Sequence, residues 1–326
     1  MAQPLSKTAV PPILQNVSVQ YRNPIYVADR VFPIISNCPP EAKIARYLKG
    51  AWFRDEAQMR GPGSEAVRGG YPVDFIDVVP KEYAFAKEVP DEDREVVNAQ
   101  GGPPLQPDQD AIAFATDKLM MRREILVAAL IKATVWSSVA ATGEDAEGLW
   151  APVSTTNTFL EDVNLRKTTI QSNTGLMPNC LLIDALTYSA LKQCDSVLDK
   201  IKYVQKGVLT PELIAAILDL DEVIVAPAIY STAKEVKAGT DFTAAQIWAN
   251  TAGHGMGFLF YRPSSAGLKI PSAGYVARSG LFPEGIRVTT WREDSKHQDV
   301  YEAAEKIHPV ATGLDLGFMW KDTYLT

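Results

Sequence analysis

The sequence predicts an α+β protein in which an extended N-terminal half is joined by one long helix to a mixed α/β half. Three observations carry this expectation. Residues 1–40 hold many prolines, including Pro11-Pro12 and Pro39-Pro40, which favour extended or irregular backbone. Residues 108–136 contain neither Gly nor Pro, so a helix can run through them uninterrupted. From Met177 onward, short apolar runs alternate with helical ones, the rhythm of strand and helix units.

The opening segment carries Ile25, Tyr26, Val27, Val31, Phe32, Ile34 and Ile35, which need a surface to lie on. Two readings stay open for it: a strand packed on its own domain, or an arm docked on a neighbouring subunit. Residues 43–97 then read as extended pieces, Ile44–Phe53 and Val73–Val79, joined by the glycine-rich stretch from Gly61 to Gly70. The intervening residues 54–68 include Arg54, Asp55, Glu56, Arg60, Glu65 and Arg68, so a long hairpin-like excursion with a polar tip is expected. So little apolar content at the tip calls for an external partner to order it.

The long helix begins near Asp108 and Asp110 and carries Arg122, Arg123 and Lys132 further on, the order the helix dipole prefers. Ile112, Ala115, Leu119, Leu126 and Leu130 supply its expected apolar stripe. At 1.5 Å per residue, about 25 residues span roughly 37 Å, the length of a spine. Beyond it, Cys180-Leu-Leu-Ile183 reads as a strand, and Asp184 or Thr187 as the start of a helix. Thr210-Pro211 forms a cap followed by proline at the first helical position. Val223–Val225, residues 248–262, Ile286–Trp291, Asp299–Ile307 and Leu314–Trp320 supply the remaining elements.

Composition narrows the function classes. Over 326 residues, 46% are hydrophobic and 22% charged, an ordinary globular balance with enough chain for a self-sufficient core. The net charge of −7 gives no overall basic excess of the kind a dedicated nucleic-acid binder carries. The charge is uneven: residues 1–70 carry nine Lys or Arg against five Asp or Glu, while the rest carries 23 against 34. A basic leading segment on an acidic body suits head-to-tail self-association.

Catalytic patterns are sparse. Cys38, Cys180 and Cys194 show no Cys-x-x-Cys spacing and have no histidine beside them, and His254, His297 and His308 form no metal-ligand spacing, so a disulfide framework, a zinc site and a catalytic triad all lack support. Gly253-His254-Gly255-Met256-Gly257 matches no phosphate-loop or dinucleotide fingerprint and is expected to be a tight turn before a strand. The acidic run Glu88–Glu95 and the pair Asp299 and Glu302 read as solvated faces or salt-bridge elements. Lys49, Arg54, Arg60 and Arg68 are the foremost cationic set. No catalytic residue, cofactor or metal is expected. No apolar stretch of 18 residues and no signal-peptide core occurs.

Ala28-Asp29-Arg30-Val31-Phe32-Pro33, then Trp52-Phe53-Arg54-Asp55-Glu56-Ala57 with Arg60, closely resemble the major capsid proteins of tailed bacteriophages. The similarity continues through residues 61–70, Leu119-Met-Met-Arg-Arg-Glu124, Pro178–Ile183 and Val223–Ala233, in the same order over most of residues 20–326. The resemblance implies the Hong Kong 97 type capsid fold: an N-terminal arm at 1–45, an extended β-hairpin loop at 46–97, and a peripheral domain with the spine helix at 98–176. An axial domain at 177–280 and a return to the peripheral domain at 281–326 complete the implied layout. It implies intersubunit contacts at Phe32, Trp52, Phe53, Arg54, Asp55, Glu56, Arg60 and Arg68, within hexamers and pentamers of an icosahedral shell around double-stranded DNA. It further implies a virion protein assembled in the host cytoplasm, with a portal protein, a decoration protein on the shell and no membrane partner. A separate scaffolding protein is expected because residues 1–45 leave no room for a long scaffolding region before the loop, and non-covalent contacts are expected because no Lys–Asn pair is singled out for the crosslink that some relatives form. An encapsulin-like compartment shell is the main alternative within the fold. A tail-tube or other virion structural protein and an α/β hydrolase or transferase are weaker readings, the last because no convergent polar set marks a pocket.

Overall fold

The computed structural model describes residues 23, 25–98, 105–137, 143–150, 157–201, 209–233, 242–250, 253–267, 269–283 and 285–325. In chain order the elements are α1 (Ala28–Val31), β1 (Ile34–Cys38), β2 (Ala42–Tyr47), α2 (Lys49–Trp52), β3 (Val73–Val78), β4 (Lys81–Pro90), α3 (Asp91–Asn98), α4 (Pro107–Ala133) and β5 (Glu144–Asp145). There follow α5 (Phe159–Thr174), β6 (Cys180–Asp184), α6 (Ala185–Leu191), α7 (Asp195–Ile201), α8 (Pro211–Leu218), β7 (Glu222–Ala226), β8 (Ile229–Ser231) and β9 (Ala244–Gln246). The last strands are β10 (Met256–Phe260), β11 (Gly274–Ser279), β12 (Arg287–Glu293), β13 (Gln298–Ala311) and β14 (Gly317–Lys321).

Two five-stranded sheets carry the fold. In the first, the long strand β13 takes β4 along one edge, and β12 followed by β11 along the other; β1 adds in parallel to β11. The second runs β5-β14-β10-β6-β7, with β6 and β7 parallel across a connection that contains α6, α7 and α8. Its strands bury both faces. Cys180, Leu182, Phe258, Phe260 and Met319 point into a core shared with α4 and the first sheet, whereas Leu181, Ile183, Leu259, Phe318 and Trp320 point into a second core under α5, α6 and α8. The two-residue period of a strand produces this division.

The expected caps are present: the Asp184 carboxylate accepts from the amides of Leu186 and Thr187, and the Thr210 hydroxyl from that of Leu213, with Pro211 in the first turn. Gly253 sits at φ +83° in the turn before β10. Gly255 is there for space, since a Cβ would lie 2.3 Å from the Thr187 hydroxyl oxygen and 2.6 Å from that of Thr323.

The long helix runs over Pro107–Ala133, in line with the expected spine of about 25 residues, and it ends there because Thr134 turns extended and Trp136 swings back into the core, its indole donating to the Ile131 carbonyl at 2.9 Å. Its buried stripe is Ala111, Ala115, Leu119, Arg123, Val127 and Ile131, with Glu124 and Ala128 beside it; Ile112, Leu126 and Leu130 are only half-buried. The β2–β3 ladder closes at Val78, and β4 belongs to the first sheet through its register with β13. In the packing, α5 lies on the second sheet, β11 in the first, and β14 returns to the second, where its alternating Phe318, Met319 and Trp320 fill both cores. Of the two readings for the N-terminal segment, β1 takes the first, pairing within its own chain; residues 1–22 and 24 lie outside the described residues.

Arg123 and Glu124, adjacent in α4, are both buried in the middle of the protein. Glu124, 0% exposed, accepts from the Val27 amide at 3.0 Å, the Ala28 amide at 2.8 Å and the Trp248 indole at 2.5 Å. Burial pushes its carboxyl up, while these donors pull it back toward the ionised form. Arg123 reaches Asp29 at 2.6 Å and the buried Glu305 of β13 at 2.8 Å, and Arg278 of β11 reaches the same Glu305 at 3.1 Å. Replacing Glu124 by leucine orphans three buried N–H donors, each of which costs about 1–3 kcal/mol. Urea denaturation of the unassembled chain should show a loss of about 3 kcal/mol or more. Gly255→Ala should cost about 1–3 kcal/mol in the same experiment, the usual range for overpacking a closed site.

Candidate intersubunit surface

The hairpin β2–β3 leaves the body of the protein as a separate two-stranded ladder. One face at its root is apolar: Ala42, Ile44, Ile76 and the fully buried Val78 pack on Tyr275, Ala277 and Val310 of the first sheet. Further out, Arg46 and Asp74 pair across the ladder, and the guanidinium holds the Asp74 carboxyl below its usual range. Lys49 of α2 ties the excursion to its own chain through Asp315 at 2.7 Å and the Asn173 carbonyl at 3.4 Å.

Beyond this anchor the chain has no support of its own. Residues 53–72 form neither helix nor strand, and every residue from Trp52 to Pro72 is exposed. At its base Tyr47, Trp52 and Tyr71 form a ring cluster with centroids 5.6–6.0 Å apart. Trp52 is 63% exposed, Phe53 70% and Met59 100%. Val67, Tyr71 and Phe75 are also more than half exposed. Single exposed apolar residues are ordinary, but a contiguous group of rings on an unsupported excursion marks a surface that another molecule covers.

The sequence-derived contact residues separate in the structure. Trp52, Phe53, Arg54, Asp55, Glu56, Arg60 and Arg68 all lie on this excursion and are exposed. Their described polar contacts stay local: Arg54 with Glu56 at 3.2 Å, Arg68 with Glu65 at 3.9 Å, and Arg60 with the Ser64 carbonyl at 2.5 Å. Phe32 does not join them. It is 0% exposed in the core of its own chain, edge-on to Phe258 at 6.4 Å, and it corrects the expectation of an intersubunit contact there. Lys49, grouped with these cations in sequence, is committed to Asp315. Tyr47, Tyr71, Met59 and Phe75 were missed; the available signal was the pair of tyrosines bracketing a polar, glycine-rich stretch.

Groups suited to chemistry are structurally occupied. Burial pushes the Cys180 thiol up to about 11 and also raises that of Cys38, so neither is poised as a thiolate nucleophile. His254 is held by Asp322 at 2.8 Å in the turn before β10. A hollow of about 290 Å³ is lined by Arg94, Val97, Leu105 and Asp108, and its charged groups close on each other at 2.6 Å. Among the described residues no group of His, Cys, Asp and Glu could hold a metal ion, and no helix is long and apolar enough to cross a membrane.

The chain is 27% identical over 322 residues, 95% of each sequence, to the major capsid protein of Burkholderia phage BcepMu. No family model matches it. A phage-related protein from Bordetella bronchiseptica superposes with a TM-score of 0.66 at 18% identity, covering 94% of this chain and 95% of that one. The capsid of cyanophage P-SCSP1u superposes with a TM-score of 0.60 at 12% identity, covering 94% and 90%. An encapsulin complex from Synechococcus elongatus follows at 0.50 and 11%, covering 100% and 92%.

Replacing Phe32 by alanine should destabilise the unassembled chain by about 3–5 kcal/mol, as expected for a buried ring. Trp52→Ala should cost about 1 kcal/mol or less, the value of an exposed aromatic contact. Thermal melts of the two variants check this contrast.

Proposed function

We propose that this chain, which has the Hong Kong 97 type capsid fold, is a major capsid protein, the subunit of a phage head shell. Copies assemble into hexamers and pentamers that close into an icosahedral shell around double-stranded DNA. The observation that carries the reading is the excursion at residues 52–72, wholly exposed yet bearing a ring cluster, on a body that otherwise closes its own cores. The end-to-end similarity to a phage major capsid protein supports it independently. A shell needs this combination: a rigid body that keeps its shape, and a reaching element whose apolar side chains are buried by a neighbour. The role is structural, with no reaction assigned to it.

The same reading makes the contacts non-covalent and places the protein in the virion after assembly in the host cytoplasm. It adds a separate scaffolding protein, a portal and a decoration protein as partners. An encapsulin-like compartment is the second reading, favoured by the structural likeness to an encapsulin but at a lower TM-score than the phage capsid.

Electron microscopy of the purified chain, expressed with its scaffolding protein, should show closed shells of hexamers and pentamers. Shells from infected cells should enclose DNA; an enzyme cargo would select the encapsulin reading. Trp52→Ala with Tyr71→Ala should weaken subunit association by about 2 kcal/mol or more, as for buried aromatic anchors, read by light scattering of the assembly reaction. Stable monomers with a competent ligand site would overturn the proposal.

A further inference from the structure

The strand β4 begins Lys81-Glu-Tyr-Ala-Phe-Ala-Lys87-Glu88, and the two-residue period of a strand sorts these residues onto two faces. Tyr83 stands opposite Glu305 in the ladder, and Glu305 turns its carboxylate to Arg123 of α4. Lys81, Tyr83, Phe85 and Lys87 therefore share the α4 side, while Glu82, Ala84, Ala86 and Glu88 occupy the other. The helix continues the first set. Phe114, Lys118 and Arg122 follow at four-residue spacing on one flank of α4.

The two elements interleave cations and rings. Phe85 and Phe114 meet edge-on at 5.6 Å and remain 38% and 42% exposed. The Lys118 ammonium lies 5.0 Å from the Phe114 centroid, and the Arg122 guanidinium 5.4 Å from that of Tyr83. Among the described residues, no ion pair engages Lys81, Lys87, Lys118 or Arg122, on a chain whose net charge is −7. Of the helix carboxylates on this stretch, Asp110 is one turn ahead of Phe114, and Asp117 accepts the Tyr26 hydroxyl at 2.9 Å.

Four cations without carboxylate partners on one face of an acidic chain call for an anionic partner. Lys118 and Arg122 are about 6 Å apart along the helix axis, within two phosphate steps of a strand rising about 3.4 Å each. Nothing in the patch offers the amide or carboxylate groups that read adenine or cytosine edges. We propose that the α4–β4 face contacts the phosphate backbone of the enclosed duplex through Lys87, Lys118 and Arg122, without sequence preference. This rests on the capsid reading and adds which side of the subunit faces the DNA.

Fluorescence anisotropy of the full-length unassembled chain with a short duplex of arbitrary sequence, followed across salt concentration, tests the proposal. At about 0.9 per phosphate contact, Lys118→Ala with Arg122→Ala should reduce the salt slope by about 2 and lower affinity at low salt about tenfold or more. Glu82→Gln with Glu88→Gln, on the opposite face, should not weaken binding. Absence of wild-type binding at low salt, or an unchanged slope in the double variant with an unchanged melting temperature, would overturn it. In assembled shells Lys118 should react with an amine-acetylating reagent when the shell is empty and be protected when it is filled. Protection in empty shells would mean that a protein partner covers this face, and would also overturn the proposal. Failure to form any shell by electron microscopy would count against the capsid reading itself, whereas the anisotropy result judges the face alone.

Discussion

The structure turns on two adjacent charges in the middle of one helix. Arg123 and Glu124 are both buried, and both reach away from α4 to α1 at the N-terminal segment, each adding a second tie elsewhere in the chain. Glu124 holds the first turn of α1 by its backbone and Trp248 by its indole; Arg123 holds Asp29 of α1 and Glu305 of the first sheet. Isolated charges at such positions would be prohibitive, so they persist only because each is satisfied by several partners. The consequence is registry. The N-terminal segment, the spine helix, the first sheet and the segment around Trp248 are fixed relative to one another at one point, around which the larger apolar core closes.

That registry explains the division of labour. The body needs no neighbour to keep its shape: one core lies between the two sheets and α4, the other beneath α5, α6 and α8. The excursion from β2 to β3 is the reverse. It is anchored at its root by Ile44, Ile76, Val78 and Lys49, and beyond Trp52 nothing in its own chain covers it. A subunit that must fit a curved shell benefits from both, since a rigid body sets the angles between neighbours and a reaching hairpin supplies buried area.

Much of this was legible in the sequence, and the failures share a cause. Asp184, Thr210 and Pro211 announce helix starts through local chemistry, and Cys180–Ile183 and Ile286–Trp291 announce strands through local pattern; all are present. The polar glycine-rich stretch between Tyr47 and Tyr71 signals an excursion, and the structure has one there, exposed from Trp52 to Pro72. What sequence could not show was long-range pairing. Arg123 and Glu124 look like ordinary helix surface charges until Asp29, Glu305 and the Val27 amide are brought to them from 94 or more residues away. Phe32, in a short proline-flanked segment, gave no sign that Phe258 would receive it. β4 seemed part of the loop because its partner, β13, lies more than 200 residues further on.

The central claim is that the body is complete in the isolated chain and the excursion is completed only by a neighbour. Amide hydrogen exchange compared between unassembled chain and purified shells tests this directly. The account predicts that residues 53–72 exchange rapidly in the free chain and become strongly protected on assembly, while Val27 and Ala28 are protected in both. Rapid exchange of residues 53–72 in closed shells, or their protection in the free chain, would contradict it.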